Sequence, residues 1–158
     1  RDDGIKPEIE TLEPAFFDTV FTNYAMIAEE NEKGFTGQNQ VSRPIHTDKT
    51  LLKQLMTILF DNAIKYTEDD GHVIFTVRTN DRHLYISVAD NGPGISDSDK
   101  KKIFDRFYRV DKARTRQKGG FGLGLSLAQQ IVLALKGTIV VKDNQPKGTI
   151  FEVKITGV

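Results

Sequence analysis

The chain has 158 residues, with 22 Lys and Arg balancing 22 Asp and Glu, no cysteine, and 38% hydrophobic side chains. That is the size and composition of one globular domain, long enough to bury a core. The missing cysteine excludes disulfide scaffolds, thiol catalysis and Cys-ligated zinc. The longest apolar run, Ile131 to Leu135, falls far short of the roughly 20 residues that span a bilayer. No basic-then-apolar leader opens the chain, and its start, Arg-Asp-Asp-Gly, predicts a piece of a longer protein.

Neutrality conceals two charged segments. Residues 99–118 carry nine basic side chains against three acidic ones, a local charge of +6, while residues 1–32 carry two against nine, a local −7. Either both are solvated faces, or the basic segment is an anion site. Nucleic acid is disfavoured by the overall neutrality and by the lack of a helix-turn-helix, zinc or RNA-binding motif.

Residues 1–14, with Gly4, Pro7 and Pro14 among acids, read as a linker or the end of a preceding element, the folded unit starting near Leu12. Phe16, Phe17, Val20, Phe21, Tyr24, Ile27 and Ala28 recur at helical spacing over residues 15–32, and Gly34 is the expected stop. Residues 41–45 are a short strand candidate. Asp48 is placed to cap a second helix running to about Tyr66, with Leu51, Leu52, Leu55, Leu59 and Ala63 inward. Past the turn at Asp69-Asp70-Gly71, residues 73–79 and 84–89 alternate as a β-hairpin.

Asp90-Asn91-Gly92-Pro93-Gly94 breaks the second of these strands, and Ser96 or Ser98 caps a short helix to about Tyr108. A basic loop leads through residues 119–124 into a helix over 123–135, closed by Gly137, and residues 138–142 and 149–155 form a second hairpin. Four or five mostly antiparallel strands with three or four helices predict an α+β sandwich, helices on one face of the sheet.

Three segments carry candidate chemistry. Gly119-Gly120-Phe121-Gly122-Leu123-Gly124-Leu125 opens a helix with four glycines in six positions, which suits phosphate or serves as a hinge. Leu125 stands where a Walker loop needs Lys, and the spacing misses the dinucleotide fingerprint. Asp90-Asn91-Gly92-Pro93-Gly94 is either a turn or a strand-end carboxylate able to accept from an exocyclic amine, with glycines letting a flat ring approach backbone. Asn62, Lys65 and Tyr66, at i, i+3 and i+4, share one helix face: a solvated stripe, or an amide oxygen for Mg²⁺, a cation for phosphate and a phenol for sugar or base.

Five segments together carry a resemblance. Asn62-Ala-Ile-Lys65-Tyr66-Thr67, Asp90-Asn-Gly92-Pro-Gly94-Ile95, Ile103-Phe104-Asp-Arg106-Phe107-Tyr108-Arg109, Gly120-Phe-Gly122-Leu-Gly124-Leu125 and Lys147-Gly148-Thr149-Ile-Phe151 resemble, in order and spacing, the N, G1, F, G2 and G3 boxes of the ATP-binding catalytic domain of sensor histidine kinases. The likeness spans residues 12–156. Gyrase-, Hsp90- and MutL-type ATPases share the superfamily, and the stretch IFDRFYRVDKARTRQKGGFGLGLSLA is similar to the histidine kinases within it.

The resemblance implies a two-layer Bergerat sandwich, a mostly antiparallel mixed sheet with helices on one face and a mobile ATP lid over about residues 96–121. Residues 1–14 would be the linker or end of a dimerisation domain, and 15–158 the catalytic domain. Asp90 would bind the adenine amine, Asn62 would ligate Mg²⁺, and Lys65 and Tyr66 would reach phosphate and nucleoside. Gly92, Gly94, Gly120, Gly122 and Gly124 would allow close backbone approach, and Thr149 would support the adenine pocket. Ile95, Phe104, Leu123 and Leu125 complete the ATP-binding set, Phe104 and Phe107 anchoring the lid. Arg106 and Arg109 would contact phosphate and, with Asn62 and Lys65, act in catalysis.

The implied function is transfer of the γ-phosphoryl of ATP to a histidine on an upstream dimerisation domain, then to an aspartate of a response regulator. His46, His72 and His83 lack the His-Glu-x-Arg-Thr-Pro setting of a phosphoacceptor and are expected at the surface. The fragment is expected to be a monomer and its parent a homodimer, this part being the cytoplasmic domain of a membrane-anchored bacterial sensor. One departure stands out: Ile58 occupies the position, four before Asn62, where the family often has Asn and hydrolytic relatives a general-base Glu. It argues against an efficient ATPase. The alternatives are a hydrolase of the same superfamily and a module that binds ATP or a partner without transfer.

Overall fold

The computed structural model describes residues 4–106, 108 and 124–158. Their elements run β1 (Glu10–Leu12), α1 (Ala15–Glu30), β2 (Gly34–Gln40), β3 (Ile45–Thr47), α2 (Lys49–Tyr66), β4 (His72–Thr79), β5 (His83–Asp90), α3 (Asp97–Lys100), α4 (Gly124–Ala134), β6 (Gly137–Asp143) and β7 (Thr149–Thr156). β1 pairs with β3 in a small ribbon, and the other five strands form one sheet in the order β2-β4-β5-β7-β6. Every pair in that sheet is antiparallel except β2 with β4. The mixed, mostly antiparallel α+β sandwich expected from the sequence is therefore present.

Period-two alternation puts Val73, Phe75 and Val77, Leu84, Ile86 and Val88, and Phe151, Val153 and Ile155 on one buried face. α1 covers that face with Phe17, Val20, Phe21, Tyr24 and Ala28, and Ile27 falls at the edge of the stripe and is exposed. α2 buries more than one stripe, adding Met56, Phe60 and Ile64 to the expected residues, because it lies between α1, α4 and the sheet. Tyr24 stacks on Phe60 at 4.2 Å and 3°, and Phe35 meets Phe60 edge-on at 5.6 Å. These contacts hold α2 in place on the sheet.

Asp48 caps α2 as expected, its Oδ1 accepting from Leu51 N at 2.9 Å. Its Oδ2 accepts from Glu8 N at 2.8 Å, so the same carboxylate also holds the incoming chain. Asp48→Ala is expected to cost about 1–2 kcal/mol of stability, read as a fall in the urea midpoint with an unchanged m-value.

Several expectations are corrected. Glu10–Leu12 lies within the span expected as linker but forms a strand, because it pairs with Ile45–Thr47 and buries Leu12. The strand expected at 41–45 sits instead at Ile45–Thr47: Pro44 has no N–H to give, while Ser42 N and the Arg43 guanidinium are bonded to Thr79 Oγ1 and Asn80 O. β2 was not expected, since GFTGQNQ carries no apolar alternation. It forms because Phe35 and Gly37 lie under Phe21, whose ring would be 2.7 Å from a Cβ at Gly37. The helix expected to reach Tyr108 stops at Lys100. Bonds from Lys102, Asp105 and Tyr108 N reach back three residues rather than four, continuing the chain as turns that bury Ile103. Lys136, not Gly137, takes the left-handed conformation after α4, at φ 64°.

Candidate functional site

Asp90 closes β5 with its side chain buried, 5% exposed. Gly92 N donates to its Oδ1 at 2.9 Å and Thr149 N at 3.2 Å. Among the described residues both backbone donors use Oδ1, which leaves Oδ2 to an incoming donor. The Asp90 carbonyl accepts from Asn144 Nδ2 at 2.8 Å. Burial pushes the carboxyl above the usual carboxylate range, against the pull of the Gly92 and Thr149 N–H groups.

Two glycines make this packing possible. A Cβ at Gly92 would lie 2.2 Å from Tyr66 O, so the loop after β5 rests directly on the last turn of α2. Gly148, at φ 111°, would put a Cβ 1.9 Å from Asp90 O, so the β6–β7 connection closes on the strand end from the other side. Only a residue without a side chain fits either place. Gly94, also at positive φ, and half-buried Ile95 follow in the same loop.

The last turn of α2 brings Asn62, Lys65 and Tyr66, all half-buried, to the same end of the sheet, where Tyr66 meets Gly92. Asp61, next to Asn62, is exposed. Desolvation nevertheless raises its pKa, with the Lys65 charge opposing. Thr149 is buried beside Asp90, to which its N–H donates.

Ser96 starts α3 by accepting from Asp99 N at 3.2 Å. Lys100 bridges Asp97 at 2.9 Å and Asp143 at 2.7 Å, fastening this segment to the end of β6. Both carboxylates raise the Lys100 pKa. The Tyr108 hydroxyl donates to Asp99 Oδ1. Half-buried Phe104 meets Phe151 edge-on at 6.3 Å, and Arg106 is exposed. Phe107, Arg109, Gly120, Gly122 and Leu123 lie outside the described residues.

Gly124 begins α4, with half-buried Leu125 after it, and a Cβ there would sit 3.5 Å from Ile58 Cγ2. Ile58 is thus part of an apolar seam between α2 and α4. His46 and His72 are exposed and meet Thr11 and Thr36 hydroxyls at 3.1 and 2.7 Å. His83 is half-buried, not a plain surface residue, and its Nδ1 is enclosed without a hydrogen-bond partner among the described residues.

Sequence reasoning gave no role to Asn144, Gly148 or Asn91, whose Oδ1 accepts from His72 N at 3.0 Å. The available signal was an Asn and a Gly flanking Gln-Pro-Lys just before a strand, which reads as an ordinary hairpin turn, with Gly148 also standing in the last of the five motif segments. Among the described residues no group of three or more His, Asp or Glu could hold a metal. The single amide of Asn62 suits a divalent cation that arrives with its own oxygen ligands. No described helix is long and apolar enough to cross a membrane.

Comparison with known proteins shows what the chain resembles. The chain is 70% identical over 155 residues to the sensor protein CiaH of Streptococcus pneumoniae serotype 4, a match covering 98% of this chain and 35% of CiaH. It therefore spans about a third of the length of that curated relative. The catalytic domain of the histidine kinase ThkA superposes with a TM-score of 0.80 at 24% identity, covering 95% of this chain and 98% of that one. Full-length ShkA, solved with AMPPNP, gives a TM-score of 0.81 at 24% identity, covering 98% of this chain and 32% of ShkA. ThkA has also been solved in complex with the response regulator protein TrrA. The profile described as histidine kinase-, DNA gyrase B- and HSP90-like ATPase matches residues 47–157, and the chain belongs to that family.

Proposed function

We propose that this domain binds ATP with Mg²⁺ and presents the γ-phosphoryl group to a histidine on a dimerisation domain of the same parent protein, for relay to a response-regulator aspartate. The observation that carries the reading is Asp90: a buried carboxylate with one oxygen held by two backbone N–H groups and the other left to accept, walled by Gly92 and Gly148. That is the chemistry for recognising an adenine amine. Asn62, Lys65 and Tyr66 stand on the turn that touches the same loop and would serve Mg²⁺, phosphate and nucleoside, while Arg106 and Arg109 would add charge at the phosphates. Mg²⁺, when bound, neutralises charge on the phosphate oxygens.

Little covalent work falls to this chain: its side chains orient the nucleotide and offset developing charge. Ile58, packed toward Gly124, supplies no base to activate water, which favours transfer over hydrolysis. AMPPNP in ShkA and the regulator complex of ThkA support the nucleotide and the downstream partner. The parent is read as a membrane-anchored bacterial sensor that dimerises through a domain outside this chain, with this domain in the cytoplasm.

The test is calorimetric titration with ATP and Mg²⁺, followed by addition of the upstream domain and labelled ATP. Saturable one-site binding and acid-labile, base-stable label on the added domain are expected. Binding without label would overturn the transfer step, and absence of binding would overturn the nucleotide site.

A further inference from the structure

We infer that Lys33, in the connection between α1 and β2, is a positioning residue for the nucleotide site, its ammonium holding the carbonyl end of α2. The inference rests on the nucleotide reading above, which assigns the last turn of α2 to phosphate and nucleoside. An α-helix ends with four backbone carbonyls lacking intrahelical donors, and together they form a partial negative charge. In α2 that end carries Asn62, Lys65 and Tyr66.

Three segments meet the carbonyls at this end, two by hydrogen bonds and one by packing. Thr67 N donates back to Ala63 O at 2.9 Å. Lys33 Nζ donates to Ile64 O at 3.1 Å and also to Thr67 O, so one ammonium spans the last turn and the residue after it. Tyr66 O faces the backbone of Gly92. Lys33 is delivered there by the way α1 ends: Asn31 N and Lys33 N both return to Ala28 O, and Glu32 turns through the left-handed region at φ 58°. Next in the chain, Gly34 N donates to Gly71 O at 2.8 Å, tying the start of β2 to the turn that follows α2.

Two consequences follow for a bound triphosphate. The first is geometric, since the turn that presents Asn62, Lys65 and Tyr66 is held by a side chain outside every nucleotide motif in the sequence. The second is electrostatic, since an ammonium on the negative end of α2 offsets a field that repels an anion. Neither consequence follows from the charge of Lys33 as read in the sequence, where it is one cation after a run of acids.

The experiment measures Mg²⁺-ATP affinity by calorimetry, well below the melting temperature, for the whole chain and for Lys33→Met, Lys33→Gln and Lys33→Arg. Asp48→Ala serves as a control that weakens α2 at its other end. Lys33→Met is expected to bind about 10-fold more weakly, Lys33→Gln to fall between, and Lys33→Arg, which keeps charge and paired donors, to return within about threefold. Asp48→Ala should retain wild-type affinity in the folded fraction. If Lys33→Met does not fold, the Gln and Arg variants decide the question by the same ranking. Wild-type affinity in the Met and Gln variants, or an equal loss in Asp48→Ala, overturns the positioning role. Failure of the unaltered chain to bind ATP would instead count against the nucleotide reading.

Discussion

Asp90→Asn is expected to abolish detectable ATP binding, by about 100-fold or more, while leaving the fold as stable as the unaltered protein or more stable. Asparagine can keep the oxygen that accepts from Gly92 and Thr149 N, so the scaffold of the strand end survives. The other position then becomes an NH₂ group, and an adenine amine arriving there meets a donor with a donor. Re-orienting the amide restores an acceptor toward the ligand only by aiming NH₂ at two backbone N–H groups.

The stability half follows from the raised pKa of Asp90, whose first cause is burial. A carboxyl that holds its proton more tightly folded than unfolded contributes stability that is fully present below the ordinary carboxylate pKa. That contribution is lost as pH rises through the raised value. At neutral pH the ionised group is therefore a cost to the free domain, and the amide removes it. The same sign predicts that ATP affinity falls on acidification through the raised pKa of Asp90, above the range of ordinary surface carboxylates. Thermal melts of both proteins across pH, with calorimetric titrations of the unaltered one, check both halves. A marked loss of stability at neutral pH in Asp90→Asn would show that the charge supports the fold.

Gly148→Ala is expected to destabilise the domain by about 3 kcal/mol and to weaken ATP binding with it. The substitution places a non-glycine residue at φ 111° and drives a Cβ to 1.9 Å from Asp90 O and 2.8 Å from Asn91 Cα. The obstructing atoms are backbone, so no rotamer change relieves them. The Asp90 carbonyl is further held by Asn144 Nδ2, and Asn144 N is bonded to Gly148 O at 3.0 Å. Moving the hairpin away therefore breaks a connected set of bonds, including Thr149 N to Asp90 Oδ1. Gly157→Ala is the control: its φ is 77° but no atom lies within 4 Å of the added Cβ, so only about 1 kcal/mol of backbone strain is expected. Urea unfolding of the two variants separates strain from collision.

The helix faces of α1 and α2, the Asp48 and Ser96 caps and the two hairpins were legible in the order of residues because each depends on local spacing or on a donor three residues away. The five motifs were legible too, as a set, since their order carries more information than any one of them. β2 was not, because it carries a glycine whose smallness is set by the Phe21 ring from another element. Nor was the strand at Glu10–Leu12, which exists only through its pairing with Ile45–Thr47. In the site, the sequence pointed to Asp90 as a strand-end acceptor. It had no means of showing that Thr149 N and Gly92 N would share one oxygen and leave the other open. The same holds for Gly148 against Asp90 and for Lys33 on the carbonyls of α2, contacts between residues 58 and 31 or more positions apart. Periodicity and capping are short-range and can be read along the chain, whereas an open lone pair, a forbidden Cβ and a borrowed ammonium arise only when distant backbone segments meet.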